Sequence, residues 1–203
     1  MTDPMININR SDMAAVESML SDVKNGAVKA MVTAINATVS TTKVQVKKRI
    51  GQKANLSAAR INKNLSIVKA NYSKISGKLV ASGEPIGLIE FKTKRKNKNG
   101  VWIKIWKDAS ATMVKHSFVA NATGNDHVFW RDYDGPRKPI SPGRKYGAIP
   151  KKFRLPVVKL TGPRIEDVFA RTDILLPAQD DAGDLLVVNL GKKVDDILRR
   201  HNG

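Results

Sequence analysis

The chain contains no cysteine. That excludes a disulfide framework, a thiolate zinc site and a cysteine nucleophile. Histidine is nearly absent as well: His116, His127 and His201 are the whole supply, and no two stand at metal-ligand spacing. Aromatic residues make up only 5% of the chain, so the core is modest or is completed by neighbouring subunits. No apolar run approaches the roughly 20 residues that span a bilayer. The opening MTDPMININR lacks the charged and apolar regions of a secretory signal, so the expectation is an intracellularly made protein with no membrane partner. Catalytic signatures are missing too. There is no Gly-rich phosphate loop ending in Lys-Ser/Thr and no G-x-S-x-G elbow. Asp180, Asp181 and Asp184 lack the turn glycine and distal glutamate of a calcium loop and read as helix-start acids. His127, next to Val128-Phe129-Trp130, reads as a hairpin residue rather than a general base. The expectation is a protein that is not an enzyme, with no catalytic residue, no metal and no cofactor.

Acidic residues are also scarce, and unevenly so. The chain has 36 Lys+Arg against 18 Asp+Glu, a formal charge of +18 on 203 residues. Between Asp22 and Glu84 no acid occurs, while twelve basic residues from Lys24 to Lys78 do. Lys92, Lys94, Arg95, Lys96 and Lys98 form a second basic cluster, and Arg131 to Arg164 a third. The C-terminal region reverses the sign, with Glu166, Asp167, Asp173, Asp180, Asp181, Asp184, Asp195 and Asp196. A basic body with an acidic tail suits a polyanion partner, or head-to-tail packing against copies of itself.

Apolar residues at 41% are enough for a core, and the length suits one domain with an appended element. Met13, Val16, Leu20, Val23, Ala27, Met31, Ala34, Ile35 and Val39 recur at a spacing of three or four, which predicts a long amphipathic helix. Ser11 is its candidate N-cap, Gly26 a candidate bend and Gly51 its end. Such a helix is too long for a compact domain to cover. Val16, Leu20, Val23, Met31 and Ile35 are therefore expected to meet another subunit. A short helix from Ser57 follows, then strands. Ile75–Val80 is one. Ile86–Lys94 and Val101–Ala109 form a hairpin about Asn97-Lys98-Asn99-Gly100, and Phe118–Ala120 with Val128–Trp130 a second about Gly124-Asn125-Asp126. Trp102 and Trp106 read as a packed cross-strand stripe. Residues 132–154 are a Pro/Gly-rich basic loop of a length that is usually functional. Leu155–Leu160 is an edge-type strand, since Pro156 cannot donate to a ladder. Pro163 opens a helix over Arg164–Ala170. A last helix runs from Ala178 to His201, with a break or bend expected at Gly183 or Gly191. The expected fold is α+β: a long N-terminal helix packed on a small, mostly antiparallel β-sheet, with C-terminal helices. The expected domains are an arm over 1–10, a core over 11–175 and a helical extension over 176–203.

One motif competes for the basic region. Residues 46–69, VKKRIGQKANLSAARINKNLSIVK, approach helix-turn-helix spacing through Gly51, Leu56, Ser57 and Ile61. Arg60, Lys63 and Asn64 would then face the groove of DNA. Gly51 stands where that motif has a small inner residue, usually Ala, and Asn55 where it has the turn glycine. With those two departures, the spacing gives an alternative reading as a sequence-specific DNA-binding regulator.

The order of elements carries a resemblance. An Ala-rich helix containing Ala30, Ala34, Ile35, Asn36 and Ala37 leads into KVQVKKRI and LSAARINK. IGLIEF, GVWIKIW, SFVA, HVFWR and RLPVVKLTGPRIEDVF follow. This resembles the minor tail protein Z family of tailed bacteriophages and prophages, the tail completion proteins, over roughly residues 20–170. The most specific parts are F-x-A…H-V-F-x-R (Phe118, His127, Phe129, Arg131) and P-V-x-x-L-x-G-P (Pro156, Leu160, Gly162, Pro163). The loop 132–154 is longer than the family's short Arg-Pro connection, and the acidic C-terminal region has no counterpart. The resemblance implies a structural virion protein of the phage neck or upper tail, assembled in the host cytoplasm. It would join head to tail as a homo-oligomeric ring, sixfold or twelvefold. Its partners would be the head–tail connector, tail terminator or portal-side proteins, and packaged DNA bound without sequence preference. Lys47, Lys48, Arg49, Lys53, Arg60 and Lys63 are the expected contacts to DNA or to an acidic partner. The motif residues are expected to be structural.

Overall fold

A computed structural model describes residues 5–8, 17–21, 23, 25–91, 95–97, 99–122, 124–131 and 157–202. The chain is α+β and divides into two compact units. One comprises Met1–Lys53, Ser57–Glu84 and Pro163–Gly203; the other comprises Ala54–Leu56 and Pro85–Gly162. The second unit is thus an insertion in the chain of the first. It replaces the expected division into an arm, one core and a terminal extension.

In the first unit, helix α1 spans Gly26–Lys53. Ala27, Ala30, Met31, Ala34, Ile35, Val39, Val46 and Ile50 recur at helical spacing and are all buried. The helix does not run unbroken from Ser11, which lies outside the described residues. Residues 17–19 are helical, but Asn25 then adopts φ 59° and separates that turn from α1. Three-residue turns close the gap, with Val23 N–H donating to the Leu20 carbonyl at 3.0 Å and Gly26 N–H to Val23 at 2.8 Å. Gly51 does not end the helix either. Its intrinsic cost of about 1 kcal/mol is smaller than the roughly 1.5–3 kcal/mol that burying Ile50 beside it provides.

Ser57 caps helix α2, Ala58–Lys63, accepting from the Arg60 N–H at 3.2 Å. Asn64 ends it, and Leu65 opens strand β2, Leu65–Val68. Strand β3, Gly77–Ala81, lies between β2 and β1 (Met5–Ile8) in an antiparallel sheet, with Leu65 opposite Ala81 and Ile8 opposite Gly77. Part of the expected N-terminal arm is therefore an edge strand. Gly77, Leu79 and Ala81 alternate into the core. A Cβ at Gly77 would fall 2.7 Å from Ile35 and Val39, which shows how closely this sheet sits on α1.

Helix α3, Ile165–Phe169, and helix α4, Thr172–Asn202, complete this unit. Arg164 caps α3, so Pro163 precedes the helix rather than opening its first turn. The expected extension boundary at 175 falls inside α4, which begins six residues before Ala178 and does not break at Gly183 or Gly191. Pro177 removes one ladder bond and the two glycines cost about 1 kcal/mol each. Burial of Ile174, Ala178, Ala182, Leu190 and Val194 outweighs this, at roughly 1.5–3 kcal/mol for each large side chain. Leu190 and Val194 pack with Leu20, Ala27, Ala30, Met31 and Ala34, and Val23 joins the edge of this cluster. Leu20, Val23, Met31 and Ile35 are therefore taken up inside the chain, not held for a neighbouring subunit. Val16 lies outside the described residues.

Among the described residues, the second unit holds two antiparallel three-stranded sheets. One is β4 (Arg95–Asn97), β5 (Gly100–Ile103) and β6 (Thr112–Lys115). The other is β7 (Ser117–Ala122), β8 (Asn125–Arg131) and β9 (Val157–Lys159). The second expected hairpin forms; of the first, the turn at 97–100 forms, but its leading strand is Arg95–Asn97 and not Ile86–Lys94. Leu88–Phe91 is a 3-10 turn that buries Leu88 and Phe91, not a strand. Strand β5 stops at Ile103, beyond which the Ile105 carbonyl accepts the Asn55 N–H at 2.8 Å. Gly100 is required at its turn: φ is 153°, and a Cβ would meet the Val114 carbonyl oxygen at 2.2 Å. The buried Ser117 hydroxyl joins the two sheets, accepting from Val101 N–H at 3.1 Å and donating to the Val114 carbonyl at 2.7 Å. The expected loop 132–154 lies outside the described residues.

Candidate functional site

Two surfaces gather the residues singled out from the sequence. The first is one face of the β7–β8 hairpin. Strand alternation puts Phe118 and Ala120 on the same side as His127, Phe129 and Arg131, with Phe118 opposite Phe129 and Ala120 opposite His127. The Phe118 and Phe129 rings are tilted at 31° with centroids 6.0 Å apart. His127 meets Phe129 edge-on, also at 6.0 Å. The Arg131 guanidinium lies 5.1 Å from the Phe118 centroid, a cation–π contact. Lys159 of β9 stands opposite Phe129. Val128, on the other side of the strand, is buried. The F-x-A…H-V-F-x-R pattern is thus a half-buried aromatic and cationic face backed by the core.

The second motif forms the exit from that sheet. The Leu160 N–H donates to the Val128 carbonyl at 2.9 Å, and its own carbonyl accepts from Leu88 N–H at 3.2 Å. The Gly162 N–H donates to the Ile86 carbonyl at 2.7 Å. A Cβ at Gly162 would stand 2.7 Å from the Phe91 ring, so only glycine lets the strand pass over that buried ring. Pro163 then leads to α3. Pro156 lies outside the described residues.

The basic surface is on α1 and α2. Arg49 and Lys53 are half-buried, and α4 brings acids to them. The Arg49 guanidinium pairs with Asp181 at 2.5 Å, and the Lys53 ammonium pairs with Asp173 at 3.0 Å. Asp173 also accepts from Arg171 at 3.0 Å. These two bonds, Arg171 first and Lys53 second, lower its pKa to about 2. The Arg60 guanidinium donates to the Asn64 carboxamide. Lys47, Lys48 and Lys63 have no acidic partner within ion-pair distance among the described residues, and Lys48 and Lys63 are exposed.

The segment that approached helix-turn-helix spacing takes another form. Its second helix has six residues and gives way at once to β2. Asn55, in the place of the turn glycine, donates its side-chain amide to the Phe91 and Lys104 carbonyls at 3.2 and 3.1 Å. These bonds lie within the second unit, to which Ala54–Leu56 belongs. The acids at 180, 181 and 184 are not at a helix start, since α4 begins at Thr172 with Asp173 in its first turn. Among the described residues no group of three His, Cys, Asp or Glu could hold a metal ion. Nor is any described helix long and apolar enough to cross a membrane.

One feature had no sequence signal. A groove of about 410 Å³ lies between the start of α1 and the end of α4, lined by Lys29, Lys193, Asp196 and Arg200 among others. Its cations are distant in the chain, and Lys193 is held by Asp196 at 3.2 Å. No protein-family model, curated protein or solved structure matches the chain.

Proposed function

We propose that this chain is a structural virion protein of the phage neck or upper tail, a tail completion protein that joins head to tail without turning over a substrate. It assembles as a ring, binds connector or tail proteins, and touches DNA through phosphate contacts without reading sequence. The observation that carries the reading is the pair of motifs by which the sequence resembles the minor tail protein Z family. Phe118, His127, Phe129 and Arg131 form one face of a sheet, and Leu160 and Gly162 make its exit, with backbone and ring contacts that suit a structural role. The formal charge of +18 supports it, as do Lys47, Lys48 and Lys63, which have no acidic partner among the described residues. The regulator reading has less support: a six-residue second helix offers under two turns to a DNA groove.

The test is genetic and structural together. Deleting the gene from the phage or prophage that carries it should leave filled heads and separate tails, restored by the gene in trans. Labelled antibody should mark the protein at the head-proximal end of the tail. Infectious, fully joined particles from the deletion, or purified virions without the protein, would overturn the proposal.

A further inference from the structure

Among the described residues, nothing covers the outward face of α4. Leu176, Asp180, Asp184, Val187 and Asp195 lie along it at near-helical spacing, with Val188 at its margin. Leu176, Val187 and Val188 are 54%, 62% and 50% exposed. Single exposed apolar residues are ordinary on a protein surface, but three on one side of one helix form a strip. Asp180, Asp184 and Asp195 are exposed and have no basic partner within ion-pair distance among the described residues, whereas Asp173, Asp181 and Asp196 are all paired. Gly183 and Gly191 lie on the same side with nothing within 4 Å of a Cβ, which keeps the strip low.

The outward face of α1 has the complementary character. Thr33, Ser40, Thr41 and Val44 are exposed along it, Val44 at 58%, and Lys47 and Lys48 follow. We infer that the outward face of α4 in one copy docks on the outward face of α1 in a second copy of this chain. Charge decides the occupant and the polarity of the contact. Acids are the scarce sign on this +18 chain, and a second copy presents a lysine-bearing helix face to them. Two α4 faces would repel through their aspartates and two α1 faces through their lysines. The contact is therefore head-to-tail, the kind that propagates into a ring where its rotation closes. For closure it rests on the ring reading above; the contact itself does not.

The experiment uses the full chain in sedimentation velocity over a concentration series, with circular dichroism confirming helicity. D180K/D184K and K47D/K48D should each raise the concentration for half-assembly roughly tenfold or more. Combining all four substitutions in one chain, or mixing the two double variants, should restore assembly to near the wild-type concentration. A wild type that assembles and double variants that assemble equally well would overturn this surface and leave the ring reading standing. A wild type that stays monomeric at all concentrations would overturn both. Loss of DNA retention by K47D/K48D with assembly unchanged would give the α1 face to DNA and end the inference.

Discussion

At the scale of single residues, the α1–α4 seam shows what side-chain chemistry settles and what it leaves strained. Asn189 donates its amide to the Thr38 hydroxyl at 3.0 Å, and Arg49 reaches Asp181. Between them the Thr42 hydroxyl is buried without a hydrogen-bond partner among the described residues. Thr33, Ser40 and Thr41, on the exposed side, donate to the carbonyl four residues back; Thr42 does not. A buried unpaired hydroxyl costs about 1–3 kcal/mol. Thr42→Val keeps the shape and removes that cost, so it should raise the urea midpoint by the equivalent of about 1 kcal/mol. An unchanged or lower midpoint would show that the hydroxyl has a partner in solution. Asp173 makes the opposite case. Its pKa falls to about 2 in the fold, from an ordinary value of 3.8, because Arg171 and Lys53 bond the charged form. Its contribution is fully present above about pH 4 and is lost as pH falls through about 2. Asp173→Asn should therefore be less stable than wild type at pH 5, and the two should converge near pH 2. Parallel acid-unfolding curves, with no convergence, would count against the pairing.

At the scale of elements, local signals were legible and long-range ones were not. The Ser57 cap, the Gly100 turn, the alternation of Phe118, Ala120, His127 and Phe129, and the Gly162 corner all rest on a few neighbouring residues. The Ser57 cap and the turn at Gly100 stand where the sequence predicts them. The limits of the two long helices were misplaced because burial, not propensity, sets them. Gly51, Pro177, Gly183 and Gly191 are breakers in isolation, yet each stands in a helix whose other side buries large side chains against a distant segment. The assignment of Leu20, Met31 and Ile35 to a subunit contact failed for the same reason. Their cover comes from α4 and β3, and nothing near them in sequence announces it. The consequence is testable. If 176–203 were an extension, removing it would leave a folded core. Because α4 supplies Ala178, Ala182, Leu190 and Val194 to the interior, a chain ending at residue 175 should be insoluble or lack a cooperative thermal transition. A truncated chain that melts cooperatively near the wild-type temperature would contradict this packing.

At the scale of the whole molecule, the segregation of charge was plain in the sequence, but its use was only half legible. Part of the acidic C-terminal region is consumed within the chain, by Arg49–Asp181 and Lys53–Asp173, across more than a hundred residues of sequence. Composition can report that acids and bases are separate; only the fold shows which of them meet. Under the two proposals above, what stays unpaired would divide between two roles: the lysines of the outward α1 face would serve the contact between copies, and those beyond α1 would be left for DNA. Lys63, Lys69 and Lys74 are exposed and have no acid within ion-pair distance among the described residues. If they bind phosphates, affinity for duplex DNA should fall steeply with salt and vary little with sequence. Replacing all three by glutamine should reduce the slope of log affinity against log salt by roughly three, about one per lost phosphate contact. Filter binding at several salt concentrations on two unrelated duplexes measures this, with sedimentation confirming that assembly is unchanged. A slope unaffected by the substitutions would remove these lysines from the DNA contact. A preference for one duplex of roughly a thousandfold would instead mark a sequence reader, and would return residues 46–69 to the role that their spacing first suggested.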